Sequence, residues 1–137
     1  MNNNKQQGFT LIELVMVIVI LGILAAVALP KFVDVTDEAK QAAVDGVAGS
    51  AASAMSINYS GCMVAGDKPA TGKCVKVTQC ADVGSLLQGG LPADYTAAPN
   101  VSGTDLGTTS GNTATCKITH TNGKSATFTG ISAGNAT

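Results

Sequence analysis

Gly8-Phe9-Thr10-Leu11-Ile12-Glu13-Leu14-Val15 opens an apolar run that continues to Leu29. Of the 21 residues from Phe9 through Leu29, only Thr10, Glu13 and Gly22 are not apolar. A helix of that length rises about 31 Å, which matches the roughly 30 Å hydrocarbon core of a bilayer. Apolar residues fall on every side of the helical wheel, unlike the stripe of a surface helix. Only a helix satisfies its own backbone in lipid, so the segment reads as a membrane helix. A cleaved secretory signal has a shorter apolar core that ends at a small-residue site. This run is longer and passes through Pro30 into a further helical pattern. Lys5 is the only charge before it, which places the N-terminus on the cytoplasmic side.

Glu13 is the feature that composition does not explain. An unpaired carboxylate in hydrocarbon is expensive, and such a residue is retained for function. The short polar leader, a basic residue, Gly8, then Phe9-Thr10-Leu11-Ile12-Glu13 and an apolar continuation resemble the type IV prepilins and the related pseudopilins. The resemblance covers Lys5 through Pro30. The Gly22-Ile23-Leu24-Ala25-Ala26 stretch, with Pro30-Lys31-Phe32, looks most like the mannose-sensitive haemagglutinin class of type IVa pilins.

That resemblance implies cleavage after Gly8 by a prepilin peptidase and N-methylation of the new Phe9 amine. Glu13 lies four residues beyond Phe9, close to one helical turn. An ammonium and a carboxylate in low dielectric attract strongly, and each alone is costly to desolvate. Pairing between Glu13 and a neighbouring subunit's Phe9 amine would set the axial stagger of a filament. Gly22 and Pro30 weaken the same helix, since Pro30 has no N–H for the carbonyl of Ala26. Relatives loosen between the matching glycine and proline, so a helix break is expected there.

From Lys31 to about Tyr59 the helical pattern continues and becomes amphipathic, with Phe32, Val35, Ala39, Ala43 and Val47 at helical spacing. Val44, Ala48, Ala51 and Met55 widen the stripe. Thr36 and Asp37 fit a fresh helix start after Pro30. Asn58-Tyr59-Ser60-Gly61 reads as the end of the helix. Beyond it the chain is rich in Gly, Thr, Ser and Asn. Val75–Val77 reads as a short strand, Ala81–Gln88 as a short helix ended by Gly89-Gly90, and Pro92 and Pro99 as loop markers. Around Thr121-Asn122-Gly123 two strands face each other. A two-residue turn would set apolar residues opposite polar ones. A three-residue loop with Gly123 left-handed pairs Cys116 with Phe128 and Ile118 with Ala126, and matching of the buried face favours it.

All four cysteines, Cys62, Cys74, Cys80 and Cys116, lie beyond the membrane segment. An even count outside the cytoplasm in a small domain implies disulfides. Three pairings exist. Cys62–Cys74 with Cys80–Cys116 is favoured, because the first closes a short Gly/Pro-containing loop and the second ties the loop region to the hairpin.

The expected architecture is the α+β pilin fold. It has a leader (1–8), a transmembrane and filament-core helix (9–30), an amphipathic second half (31–60) and a disulfide-stapled β-rich head (61–137). The resemblance implies the structural subunit of a type IV pilus, a single-pass inner-membrane precursor that moves to a surface fimbrium serving adhesion and colonisation. Its partners would be identical subunits, the prepilin peptidase and the pilus assembly machinery. No cofactor, metal or nucleic acid is expected. The eight basic residues are all lysine, the net charge is −1, and no basic stripe is evident. His120 is the only histidine, and no Ser/His/Asp set assembles around it, which speaks against a single-span membrane enzyme. A type II secretion pseudopilin would share residues 5–30. The major pseudopilins carry a carboxylate-rich calcium site near the C-terminus, whereas Leu106–Thr137 contains no Asp or Glu.

Overall fold

The computed structural model describes residues 8–136. The elements run α1 (Leu11–Val64), a 3-10 helix (Cys80–Ser85), β1 (Tyr95–Pro99), β2 (Thr113–His120) and β3 (Ser125–Ile131). This is an α+β arrangement of a long N-terminal helix and a small antiparallel sheet in the order β1-β2-β3. Two compact units divide the chain, one ending at Glu38 and the other starting at Ala39.

In the first unit the helix buries nothing. Every large apolar side chain from Phe9 to Val35 is exposed. In water such a surface would be untenable; in lipid it is the expected outer face of a spanning helix. The helix passes through Gly22 and Pro30 without interruption, so the expected break is not seen in the single chain. The fresh start expected at Thr36 and Asp37 is also absent. The Thr36 hydroxyl instead donates to the Phe32 carbonyl one turn back, at 2.9 Å.

The second unit has a core. On α1 the buried positions are Val44, Ala48, Ala51, Met55, Asn58 and Cys62, spaced alternately four and three apart. That is the narrow seam of a helix packed on one side. Phe32, Val35, Ala39 and Ala43, expected on the same stripe, are exposed. The seam meets Val77, Cys80, Val83 and Leu106 from the connecting segments, and Cys116, Ile118 and Phe128 from the sheet.

The hairpin has the expected register, Cys116 opposite Phe128 and Ile118 opposite Ala126. Gly123 sits at φ +89°, and its N–H donates to the His120 carbonyl at 2.9 Å. Gly130 passes over the second disulfide, where an added Cβ would lie 2.6 Å from Cys116 Sγ and 3.0 Å from Leu106 Cδ2.

Three local expectations are corrected. The helix does not stop at Gly61 but reaches Val64. Asn58 is held inside it by two 2.8 Å bonds to the backbone of Val75, so that asparagine anchors a crossing segment and does not end the helix. Val75–Val77 is not a strand. Only Val77 pairs, in an isolated bridge with Ala133, because the Val75 backbone is already satisfied by Asn58. The segment after Gln79 forms a 3-10 helix over Cys80–Ser85 where a longer helix was expected. The Asp82 carboxylate accepts from the N–H groups of Thr78 and Gln79 at its start, and Gly89 and Gly90 follow at positive φ.

Candidate processing and assembly segment

Gly8, Phe9 and Thr10 precede the helix and are exposed, Phe9 at 88%. Thr10 is the residue before the first helical position, and Glu13 is the third residue in. The Thr10 N–H donates to Glu13 Oε2 at 2.9 Å, and the Thr10 hydroxyl donates to the same oxygen at 2.9 Å. The Glu13 N–H reaches back to Thr10 Oγ1 at 3.4 Å. This is a reciprocal capping box, in which two otherwise orphaned helix-end donors are satisfied. Thr10 is thus a functional neighbour that charge reasoning passed over. The Thr-x-x-Glu spacing before an apolar run was the signal that marks it.

In the uncleaved chain, then, Glu13 is bonded to Thr10. The amine that Glu13 is expected to meet is still the peptide nitrogen joining Phe9 to Gly8. Cleavage after Gly8 would convert that nitrogen into an ammonium one turn away on the same helix end. Residues before Gly8, including Lys5, lie outside the described residues. Gly22 and Pro30 lie within α1; no neighbour approaches the position a Cβ would take at Gly22.

The cysteines lie in the second unit. Cys62 is joined to Cys74 and Cys80 to Cys116. Cys62, Cys80 and Cys116 are fully buried. The first bridge ties the last turn of α1 to a tight loop, in which Ala70 and Cys74 exchange both backbone bonds at 2.9 Å around left-handed Gly72. Asp67 holds the C-terminal segment against this loop. It is itself left-handed at φ +58°, and its Oδ1 accepts the Gly134 N–H at 2.8 Å. The Ser110 hydroxyl above all holds its carboxyl below the usual carboxylate range; desolvation opposes it, and the N–H groups of Gly134, Asn135 and Ala136 add to the lowering.

His120 packs its ring edge-on against Tyr95, with centroids 4.6 Å apart. Its Nδ1 accepts the Asn122 N–H at 3.0 Å, which places a neutral ring's proton on Nε2. This is a hairpin-end role. Among the described residues no group of three or more His, Cys, Asp or Glu side chains is placed to hold a metal.

The model of the prokaryotic N-terminal methylation motif matches residues 3–29. Comparison with curated proteins and with solved structures gave no match. A methylation motif laid on a long unburied apolar helix supports a membrane-anchored precursor of the type IV pilin or pseudopilin kind, and suggests a structural protein more than an enzyme.

Proposed function

We propose that the chain is the major structural subunit of a type IV pilus, cleaved after Gly8 by a prepilin peptidase and N-methylated on Phe9. The observation that carries this reading is the methylation motif over residues 3–29, laid on the start of a helix whose apolar side chains from Phe9 to Val35 are covered by nothing in the single chain. Residues 9–30 are the inner-membrane anchor of the precursor and then the core of the filament. Residues 1–8 are the leader, 31–60 the second half of the helix, and 61–137 the head. A contact between different patches on identical subunits does not close on itself and propagates as a helical filament.

Moving a helix from lipid into a bundle gains little hydrophobic free energy. Packing and charge therefore choose the register, and Glu13 supplies the charge by pairing with the methylated Phe9 amine of a neighbouring subunit. Gly22 and Pro30 mark a stretch that loosens as the helices pack. The pilus serves adhesion and surface colonisation, after the manner of the mannose-sensitive haemagglutinin class. The pilus assembly machinery extracts the subunit from the inner membrane.

A pseudopilin of a type II secretion system would share the motif. The two disulfides and the carboxylate-free segment after Asp105 favour the pilus subunit. Mass spectrometry of sheared surface filaments tests the proposal. The expected main component is a chain that begins at methylated Phe9. Filaments lacking it, together with lost exoprotein secretion in a deletion strain, would move the assignment to the pseudopilins.

A further inference from the structure

Helix α1 carries Cys62 in its last turn, and the turn that follows reaches the end of the chain. Past Val64, Gly66 and Asp67 are both left-handed, at φ +73° and +58°. The Asp67 N–H donates back to the Cys62 carbonyl at 2.7 Å. Left-handed residues of this kind reverse the chain at a helix end. Here they bring Asp67 against residues 132–136. Asp67 Oδ1 accepts the Gly134 N–H at 2.8 Å, and its main-chain oxygen accepts the Ala136 N–H at 2.9 Å. A second anchor lies at Val77. It exchanges backbone bonds with Ala133 at 2.9 and 3.1 Å, and its carbonyl also accepts from Asn135 Nδ2 at 3.2 Å.

Held by these two anchors, the segment lies on the first disulfide. A Cβ added at Gly134 would stand 3.1 Å from Cys74 Sγ. Ala133 packs with Cys62 and Cys74 in one buried cluster. Cys74 keeps 4% of its surface exposed and Cys62 none. Thiol–disulfide exchange needs a thiolate to reach one of the two sulfurs, and the closed head offers almost no path. The second bridge is covered by other parts of the chain. Cys80 and Cys116 belong to the main core, with Gly130 and Leu106 over the Cys116 sulfur.

We propose that residues 132–136 are a strap that gates the Cys62–Cys74 bridge. The bridge yields to a dithiol when the strap lifts from Asp67 and Val77, whereas Cys80–Cys116 yields only when the core opens. Local opening of this kind costs less than global unfolding. With the strap lifted, a thiolate of the dithiol attacks Cys74 Sγ, the bond to Cys62 breaks, and Cys62 leaves as a thiolate. The second thiolate of the dithiol then displaces Cys74 from the mixed disulfide. The bridge is reduced to two thiolates and the dithiol is oxidised to its own disulfide. The short bridge can thus be exchanged without disturbing the sheet. The gate is a property of the oxidised head and does not depend on the filament reading.

The test uses the full oxidised chain in detergent, with dithiothreitol as the probe. Iodoacetamide trapping and peptide mass mapping follow each bridge separately. In the wild type, reduction of Cys62–Cys74 relative to the denatured chain should be slowed by the same factor as amide exchange at Gly134 and Ala136, within about threefold. Asp67→Asn keeps a side chain that tolerates the left-handed backbone. Gly134→Ala strains the strap, since Gly134 sits at φ +67°. Each should speed reduction of the first bridge about threefold or more and leave the second unchanged. Selective speeding in either variant, with the wild-type match, supports the gate. A first bridge that stays sealed while the strap amides exchange freely overturns it. So does a rise shared equally by both bridges, or no rise in either variant. A variant whose hairpin amides lose protection is unfolded, and the wild-type comparison then decides alone.

Discussion

Glu13 would have different neighbours available before and after the proposed cleavage at Gly8. In the intact chain its oxygen closes the Thr10 capping box, an exposed cap of the modest strength usual at helix ends. That is small against the pairing of two charges in low dielectric, so a nearby ammonium would win the carboxylate. Glu13→Ala is accordingly expected to leave cleavage after Gly8 intact, seen as the normal mass shift of the precursor, and to abolish filaments in electron micrographs. Normal piliation by that variant would remove the charge-pairing account. Asp67 offers a separate titration. Its folded carboxyl is held below the ordinary value by Ser110 and the backbone N–H groups of Gly134 to Ala136. A depressed folded pKa stabilises the head above the unfolded carboxylate pKa of about 4. That contribution fades as pH falls through the folded value. Asn tolerates the left-handed backbone, so Asp67→Asn isolates the charge. The melting-temperature gap between wild type and Asp67→Asn in detergent should be present near neutral pH and shrink below pH about 4. A gap unchanged down to pH about 2 would show that the charge contributes nothing.

At the scale of elements, α1 shows how one residue type acts with opposite sign along a single helix. Gly49 has nothing within 4 Å of the place a Cβ would take, whereas at Gly61 a Cβ would collide with the carbonyl oxygen of Lys73. Glycine inside a helix costs about 1 kcal/mol relative to alanine. Gly49→Ala is expected to raise the melting temperature of the detergent-solubilised chain, and Gly61→Ala to lower it despite the better helix former. Equal shifts in thermal unfolding would contradict the close crossing at Gly61. The same crossing explains what was and was not legible in the sequence. The apolar run, the α+β class and the hairpin around Asn122-Gly123 are set by local pattern and turn chemistry, which a sequence displays directly. The helix end was misplaced because Asn58 and Gly61, ordinarily terminators, are held helical by a segment over ten residues away. β1 was missed because Tyr95-Thr96-Ala97-Ala98-Pro99 has few branched side chains. It pairs with β2 alone, and a proline at the end of an edge strand is tolerated. Thr10 was in plain view but was overshadowed by the charge beside it.

For the molecule as a whole, the two bridges lie at different depths of the head's organisation. Cys62–Cys74 closes a short loop at the end of α1, while Cys80–Cys116 links the connecting segment to the central strand with a separation of 36 residues. Loop-closure entropy assigns about 3 kcal/mol to the first and about 4 kcal/mol to the second. Such values rival the whole stability of a small domain. Replacing Cys80 and Cys116 with serine is expected to leave the head unfolded or protease-sensitive at 37 °C. Replacing Cys62 and Cys74 should weaken it less, as judged by limited proteolysis of membranes. The reverse order would mean that the short loop, not the core, limits stability.

The C-terminal segment has a consequence of its own. Ser132, Ala133 and Gly134 are buried, Ala133 pairs with Val77, and Ala136 donates to the main-chain oxygen of Asp67. These late-emerging residues fill the place where the first disulfide loop meets the strands. If the head is exported as proposed, its completion would wait for them to cross the membrane. A prematurely terminated copy would have the anchor and the motif yet no finished exterior. Length would thereby be checked by folding itself, before any such copy could join the proposed filament.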